Sequence, residues 1–342
     1  MQSPSSTREI IFYLRGFAIG SVVINHYITT YISESFSGYA NGIIAVFFVL
    51  SGYGIFCSLS KSDRLDTETL LKYLYRRFMR IYPLYWLSLI VITLTTRNSY
   101  GLKTILAIPF FQAPGIYWFI SSLVQCYLIA PLLFIFIRKH GYKKYIATVL
   151  TVMLLVYLLY QFAALPYNRD FFVYRYLFLS HIFLFASGMA IPPIIADHHS
   201  KLSNNILASL SFIFFLVLVY WTREADTFFT NSAIYIAPLF VTGTVFFCLC
   251  VISTVPLLIF RKPVVLIGAY SYSLFLFHTV FFIILSRYEI IKGADLQSIT
   301  LTLLLFPLFL SGCMILEKST SYLNNILIAG RRACERFYMR YL

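Results

Sequence analysis

Charged residues are scarce in this sequence, and acidic ones are scarcest. Only 12% of the 342 residues are charged, with 13 Asp and Glu against 27 Lys and Arg. No acidic residue lies deep in an apolar stretch, whereas ion-coupled transporters usually carry carboxylates there. The six cysteines form no CxxC and no Cys/His pattern, which argues against structural disulfides and a zinc site.

Apolar residues fill the sequence instead. They make up 60% of it, with a mean hydropathy of +0.80, which excludes an ordinary soluble domain. Apolar runs long enough to cross a bilayer recur along the chain, so we predict an all-α polytopic membrane protein, a bundle of about ten transmembrane helices. The predicted spans are 9–29, 43–60, 81–97, 118–137, 145–163, 176–195, 205–221, 232–254, 264–285 and 298–316.

Basic residues alternate between rich and poor connections. The 61–80 connection carries six Lys and Arg, and the 30–42 connection carries none. The positive-inside rule then places both termini in the cytoplasm. The net charge of +14 follows from this topology and from attraction to anionic membrane lipid, and we expect no nucleic-acid partner. The N-terminus has no cleavage-site pattern and is predicted to be an uncleaved anchor. We expect a membrane domain over 1–320 and a short basic cytoplasmic tail over 321–342.

Two basic side chains interrupt the first apolar run, Arg15 and His26. Eleven residues at ~100° each return to nearly the same helix face, which puts the two side chains roughly 16 Å apart along one side. A cation inside a membrane segment normally faces a bundle interior or a wet cavity. A neutral imidazole is well suited to take a proton from an alcohol near neutral pH, although hydrogen bonding between helices would also explain His26.

An arginine cluster precedes the third span, formed by Arg76, Arg77 and Arg80. If the stretch before Pro83 is helical, spacings of three and four place these arginines on one side. Several guanidinium groups together bind phosphate oxygens, so a phosphorylated cytosolic ligand is one interpretation. The other is that the cluster sets topology and touches lipid phosphates.

Two further histidines lie in predicted spans. His181 falls in the outer half of span six and His278 beyond the midplane of span nine, so both are expected to converge with His26 towards the outer half of the bundle. For His278 function and structure are equally good interpretations, and for His181 a structural role is favoured. Ser51, Ser271 and Ser273 could donate hydrogen bonds, although small polar residues in spans usually serve packing.

Five ordered motifs resemble the acyltransferase-3 family of integral membrane acyltransferases, and together they cover most of the chain. Arg15 and His26 match its R-x10-H. The other matches are VFFVLSGY from Val46, the R-x-x-R of Arg77–Arg80, YWFISSLVQCYLIAP from Tyr117, and SYSLFLFH ending at His278. The fourth-span motif departs from many members, which carry Glu just before the Gln. Here Leu123 and Val124 precede the retained Gln125.

The resemblance implies transfer of an acyl group, most often acetyl, from cytoplasmic acyl-CoA to a hydroxyl of a cell-envelope glycan. It implies that the arginine cluster holds acetyl-CoA as co-substrate and that Arg15 and His26 serve acyl transfer. Because no metal-ligand pattern is present, we expect no metal. Trp118, Gln125, Ser51, His181 and His278 are candidate substrate or pore residues. We expect a bacterial plasma (inner) membrane location. The alternatives are a transporter or exporter of a saccharide or small acyl anion, and a structural subunit of a polymer-synthesis complex. The sequence leaves open the acceptor sugar, the acyl chain, the oligomeric state, and general-base against acyl-histidine chemistry.

Overall fold

The structure, a computed structural model, describes residues 4–32, 37–62, 65–97, 100–107, 118–162, 178–197, 213, 245, 261–290 and 295–341. Regular structure in this part of the chain is helical throughout. In chain order the helices are α1 (Pro4–Tyr31), α2 (Ser37–Leu59), α3 (Thr67–Thr96), α4 (Leu102–Ile105), α5 (Trp118–Phe162), α6 (Phe178–Asp197), α7 (Arg261–Ala269), α8 (Ser271–Arg287) and α9 (Leu296–Tyr341).

Within the described residues, four helical segments are long and apolar enough to cross a membrane. They are Arg8–Tyr31, Thr67–Thr96, Trp118–Leu155 and Leu296–Leu323, and α7 and α8 meet the same criterion when taken together. The helical class and the membrane location are therefore confirmed. Predicted spans 205–221 and 232–254 lie outside the described residues, apart from the single residues 213 and 245. The total of ten spans and the side on which the termini lie stay predictions.

Helix α5 covers predicted spans four and five, and Gly141 interrupts it. This glycine has φ 79° and ψ 159°, a backbone conformation that residues with a Cβ rarely adopt. The rings of Phe136 and Tyr145 lie 6.1 Å apart, whereas nine residues of straight helix would separate them by about 13.5 Å along the axis. The chain therefore bends sharply at the predicted connection between the two spans.

The described chain forms two compact units, 1–70 with 101–269 and 71–100 with 270–342. In the first unit, α1 crosses α7 at two glycines. A Cβ on Gly16 would overlap the Val264 carbonyl oxygen, and one on Gly268 would overlap that of Phe12. Such small residues let two membrane helices approach backbone to backbone.

A salt bridge shows the direction of these two helices. Glu9 pairs with Arg261, and each of these residues lies seven positions before the glycine of its own helix at the crossing. Helices α1 and α7 therefore run in the same direction at this crossing.

A second glycine crossing joins α2 to α6 in the same unit. A Cβ on Gly52 would overlap the Phe185 carbonyl oxygen, and one on Gly188 would overlap that of Val49. The core of this unit lies around the crossing, where Phe48, Phe185 and Met189 are fully buried.

The second unit contains most of α3 together with α8 and α9. Ser273 contacts Glu317, and the ring of Phe281 stacks on that of Phe309 at 4.5 Å. The two contacts are eight residues apart on each helix, and the contact that comes first on α8 comes second on α9. Helices α8 and α9 are therefore antiparallel neighbours. Helix α9 continues to Tyr341, and the boundary predicted at 320 therefore falls inside a helix.

Candidate functional site

Arg15 and His26 lie on one continuous helix. Because α1 is helical from Pro4 to Tyr31, the eleven-residue spacing does put the two residues on the same side of it. Both side chains are half-buried. Arg15 directly precedes Gly16, where the α7 backbone packs against α1, so Arg15 lies next to a tight helix crossing.

Residues close to His26 in the sequence are more buried than His26 or bond to its backbone. Asn25 is buried, and the Thr29 hydroxyl donates to the backbone carbonyl of His26 at 3.2 Å. This hydrogen bond lies within the helix and engages the backbone of His26. His26 is thus partly exposed and lies less than one helical turn from the end predicted for its span at residue 29.

The arginine cluster lies on α3, which begins at Thr67 and so carries the cluster and the third span in one helix. The condition for the three arginines to share a side is met. Arg76 and Arg80 are exposed, whereas Arg77 is half-buried. The Arg77 guanidinium lies over the Tyr73 ring, 5.5 Å from its centroid, a favourable cation–π geometry. The cluster therefore offers two exposed cations and one held against the protein.

His181 belongs to an aromatic cluster in the first unit. Its ring stacks on that of Phe48, with centroids 4.5 Å apart, and lies 5.1 Å from the ring of Trp118. His181 and Phe48 are buried, and Trp118, the first residue of α5, is partly exposed. Two of the predicted site residues, His181 and Trp118, are thus in contact, in an arrangement that suits core packing.

Gln125 lies two turns after Trp118 on the same face of α5. Its Nε2 donates to the Ser121 carbonyl at 3.3 Å and contacts the Ser121 hydroxyl at 3.2 Å. A backbone carbonyl only accepts, so the amide nitrogen faces Ser121 and the amide oxygen faces away from it. Ser51 is half-buried beside Gly52 at the α2–α6 crossing, where a small side chain serves close packing.

His278 lies in the second unit and is buried. Its Nδ1 lies 2.7 Å from the Phe275 carbonyl oxygen and 3.2 Å from that of Leu274. Because both oxygens only accept, Nδ1 carries the proton, and Nε2 is left as the basic nitrogen in the neutral ring. The Thr279 hydroxyl lies 3.4 Å from Nε2. Convergence of His278 with His26 and His181 stays a prediction.

Glu317 is a half-buried carboxylate that none of the sequence motifs includes. It directly follows the predicted span 298–316 and lies inside the described apolar segment Leu296–Leu323. Its carboxylate accepts a hydrogen bond from the Ser273 hydroxyl at 2.7 Å, in the first turn of α8, where a negative charge is favoured. Glu317 lies six residues before the end of this segment, and the expectation that no acidic residue lies deep in an apolar stretch stays a prediction.

Possible ligand groups follow from these side chains. The arginine cluster is suited to phosphate, and among the described residues no three His, Cys, Asp or Glu side chains are grouped for a metal ion. Long apolar helices with cations and histidines inside them define an integral membrane protein with polar groups in its helical bundle.

A comparison with protein families identifies the family to which this membrane protein belongs. A family model described as an acyltransferase domain matches residues 9–318, and the chain belongs to this acyltransferase-3 family. It is therefore a membrane acyltransferase. Neither the curated proteins nor the solved structures contain a match.

Proposed function

We propose that the protein moves an acetyl group from cytoplasmic acetyl-CoA to a hydroxyl of a cell-envelope saccharide. The observation that carries the proposal is the pair Arg15 and His26 on one helix of a chain that matches the acyltransferase domain over 9–318. The location that fits this activity is a bacterial plasma membrane with both termini in the cytoplasm.

The donor is assigned to the arginine cluster. Acetyl-CoA carries several phosphate oxygens at one end, and Arg76 and Arg80 present exposed guanidinium groups four residues apart on α3. Charge-assisted hydrogen bonds of guanidinium to phosphate are among the stronger polar interactions in proteins. Arg77 adds a third cation whose position is restricted by Tyr73.

The chemical step is assigned to His26. Its neutral imidazole takes the proton of the acceptor hydroxyl as the oxygen attacks the thioester carbonyl. The carbon–sulfur bond then breaks, and the CoA thiolate leaves and receives the proton. Arg15 binds the donor or stabilises the negative charge that develops on the carbonyl oxygen. In the alternative route the acetyl group first forms a covalent bond to His26.

The test is transfer by the purified protein. Wild type is incubated with radiolabelled acetyl-CoA, with and without envelope glycan, and compared with His26→Ala, Arg15→Ala and the control His140→Ala, which changes an exposed histidine. We expect labelled glycan and released CoA from wild type and from the control. His26→Ala should lose about 10²-fold or more, the contribution typical of a general base.

Each other outcome has a distinct meaning. If wild type releases no CoA with any acyl-CoA although it is folded and glycan is present, the transferase proposal is wrong and transport or assembly becomes the better hypothesis. If His26→Ala keeps wild-type transfer, the protein is the proposed enzyme but His26 has no part in the chemistry. Mass spectrometry of the quenched enzyme separates the two routes, since only one leaves an acetyl group on His26.

A further inference from the structure

Tyr272 links the helix of His278 to the helix of the arginine cluster, within the second unit. Tyr272 is the second residue of α8, and its hydroxyl donates to the backbone carbonyl of Ile81 at 2.8 Å. Ile81 directly follows Arg80 on α3 and lies one turn after Arg77. The hydrogen bond therefore holds the part of α3 that carries the proposed phosphate-binding side chains.

A second hydrogen bond shows how the two helices are aligned. At the other end of α8, Arg287 donates to the Thr95 carbonyl of α3. Fifteen residues separate the two donors and fourteen separate the two acceptors, which correspond to about 22 Å and about 21 Å of helix. Helices α3 and α8 thus run in the same direction, joined by one long side chain near each end. Tyr272 fixes their alignment at the arginine end.

Arg77 is the arginine that this alignment affects most. It lies four residues before Ile81 and so on the same face of α3, the face that α8 contacts through Tyr272. It is half-buried, whereas Arg76 and Arg80 are exposed, and its guanidinium lies over Tyr73 on the preceding turn. Tyr73 and the Tyr272–Ile81 bond therefore lie on either side of Arg77 along one face.

We propose that Tyr272 is a positioning residue for the phosphates of the acyl donor, acting through Arg77. It sets where the arginine turn lies beside α8 and takes no part in the chemical step. The inference rests on the proposed function, because it assumes that the arginine cluster binds CoA phosphates. A neutral hydrogen bond of this kind contributes modestly, so its loss should weaken phosphate binding by about fivefold and leave the fold intact.

The experiment measures binding directly, without turnover. The full chain in detergent is titrated calorimetrically with CoA and with pantetheine, which has the same arm and no phosphate. Tyr272→Phe removes only the hydroxyl. Tyr288→Phe is the matched control, since it removes a tyrosine hydroxyl just past the other end of α8, where the side chain is 70% exposed. We expect Tyr272→Phe to raise the Kd for CoA about fivefold and to leave the Kd for pantetheine unchanged, and Tyr288→Phe to change neither.

A double-mutant cycle with Arg77→Gln tests whether Tyr272 acts through Arg77. If Tyr272 acts through Arg77, Tyr272→Phe has no further effect on CoA binding in the Arg77→Gln background. An unchanged Kd for CoA in Tyr272→Phe overturns the inference. An equal loss for CoA and pantetheine also overturns it, because that result indicates a general packing defect.

The same titrations separate this inference from the proposed function. If Arg77→Gln and Arg80→Gln bind CoA as wild type does, the arginine cluster is not the donor site and both ideas fail. If those variants bind CoA weakly while Tyr272→Phe binds it normally, only the role of Tyr272 is wrong.

Discussion

The carboxylate of Glu9 accepts two hydrogen bonds from the guanidinium of Arg261, 252 residues later in the chain, with Nε to Oε1 at 2.7 Å. This two-bond geometry is the strongest that an arginine and a carboxylate form. It joins α1 and α7 two turns before their glycine crossing. The interaction thus fixes the rotation and direction of the helix that carries Arg15 and His26.

Exchanging the charges of Glu9 and Arg261 should restore the stability that either single substitution removes. Glu9→Arg and Arg261→Glu each place like charges together and should lower stability by about 1 kcal/mol, because both side chains are more than a third exposed and partly screened. The double variant should recover most of the loss. Thermal unfolding in detergent at low and high salt measures the cycle, and strictly additive single effects would show that the pair is not coupled.

Gly52 and Gly54 of α2 are matched positions at which the packing of α2 against α6 can be tested. Gly52 faces the Phe185 carbonyl of α6, whereas a Cβ on Gly54 would meet nothing within 4 Å. Gly52→Ala should therefore cost about 1–3 kcal/mol through overpacking, and Gly54→Ala should be neutral or stabilise the helix by up to about 1 kcal/mol. Thermal midpoints and the yield of monodisperse protein measure both, and equal midpoints would contradict the crossing.

His181 offers a test of packing against chemistry. The stacking of His181 on Phe48 and its contact with Trp118 require a flat ring but do not require an ionisable nitrogen. His181→Phe should keep stability and acetyl transfer, and His181→Ala should cost roughly 3 kcal/mol of stability. A folded His181→Phe variant without transfer would show instead that the imidazole itself takes part.

Asp295 should make the start of α9 sensitive to acid. The Ser298 hydroxyl and backbone N–H bond to its carboxylate, which lowers the pKa of Asp295 in the folded protein below the unfolded value of about 3.9. The charged form is thus the one that stabilises the fold, so the contribution is complete above the unfolded pKa and disappears as the pH falls through the folded pKa.

The thermal midpoint of Asp295→Asn should therefore depend less on pH than that of wild type over the acid range, since asparagine accepts the same hydrogen bonds without titrating. Glu289→Gln removes one acidic group nearby and controls for the change in charge. An identical acid slope in wild type and Asp295→Asn would show that Asp295 does not titrate through the fold.

Local periodicity was sufficient to predict the helix that carries Arg15 and His26, because its apolar run is long enough to identify a helix without knowledge of its partners. The helix over the arginine cluster was only a condition, since the basic stretch 61–80 was predicted to be a connection and α3 in fact begins at Thr67. The break between spans four and five was also predictable, because the basic connection 138–144 contains Gly141. Helix α9 was underestimated, since its polar continuation to Tyr341 has no apolar signal.

The sequence by itself determined the class of this protein, because 60% apolar residues in long runs have no stable place in water. Its ordered motifs also determined the family. Tertiary structure decided which of the interrupting residues meet: Glu9 with Arg261, Glu317 with Ser273, and Tyr272 with Ile81. These pairs join residues between 44 and 252 positions apart, and helical periodicity carries no information over such distances. Only the packing of one helix against another brings them together, and for Glu9 and Arg261 the glycines Gly16 and Gly268 set that packing.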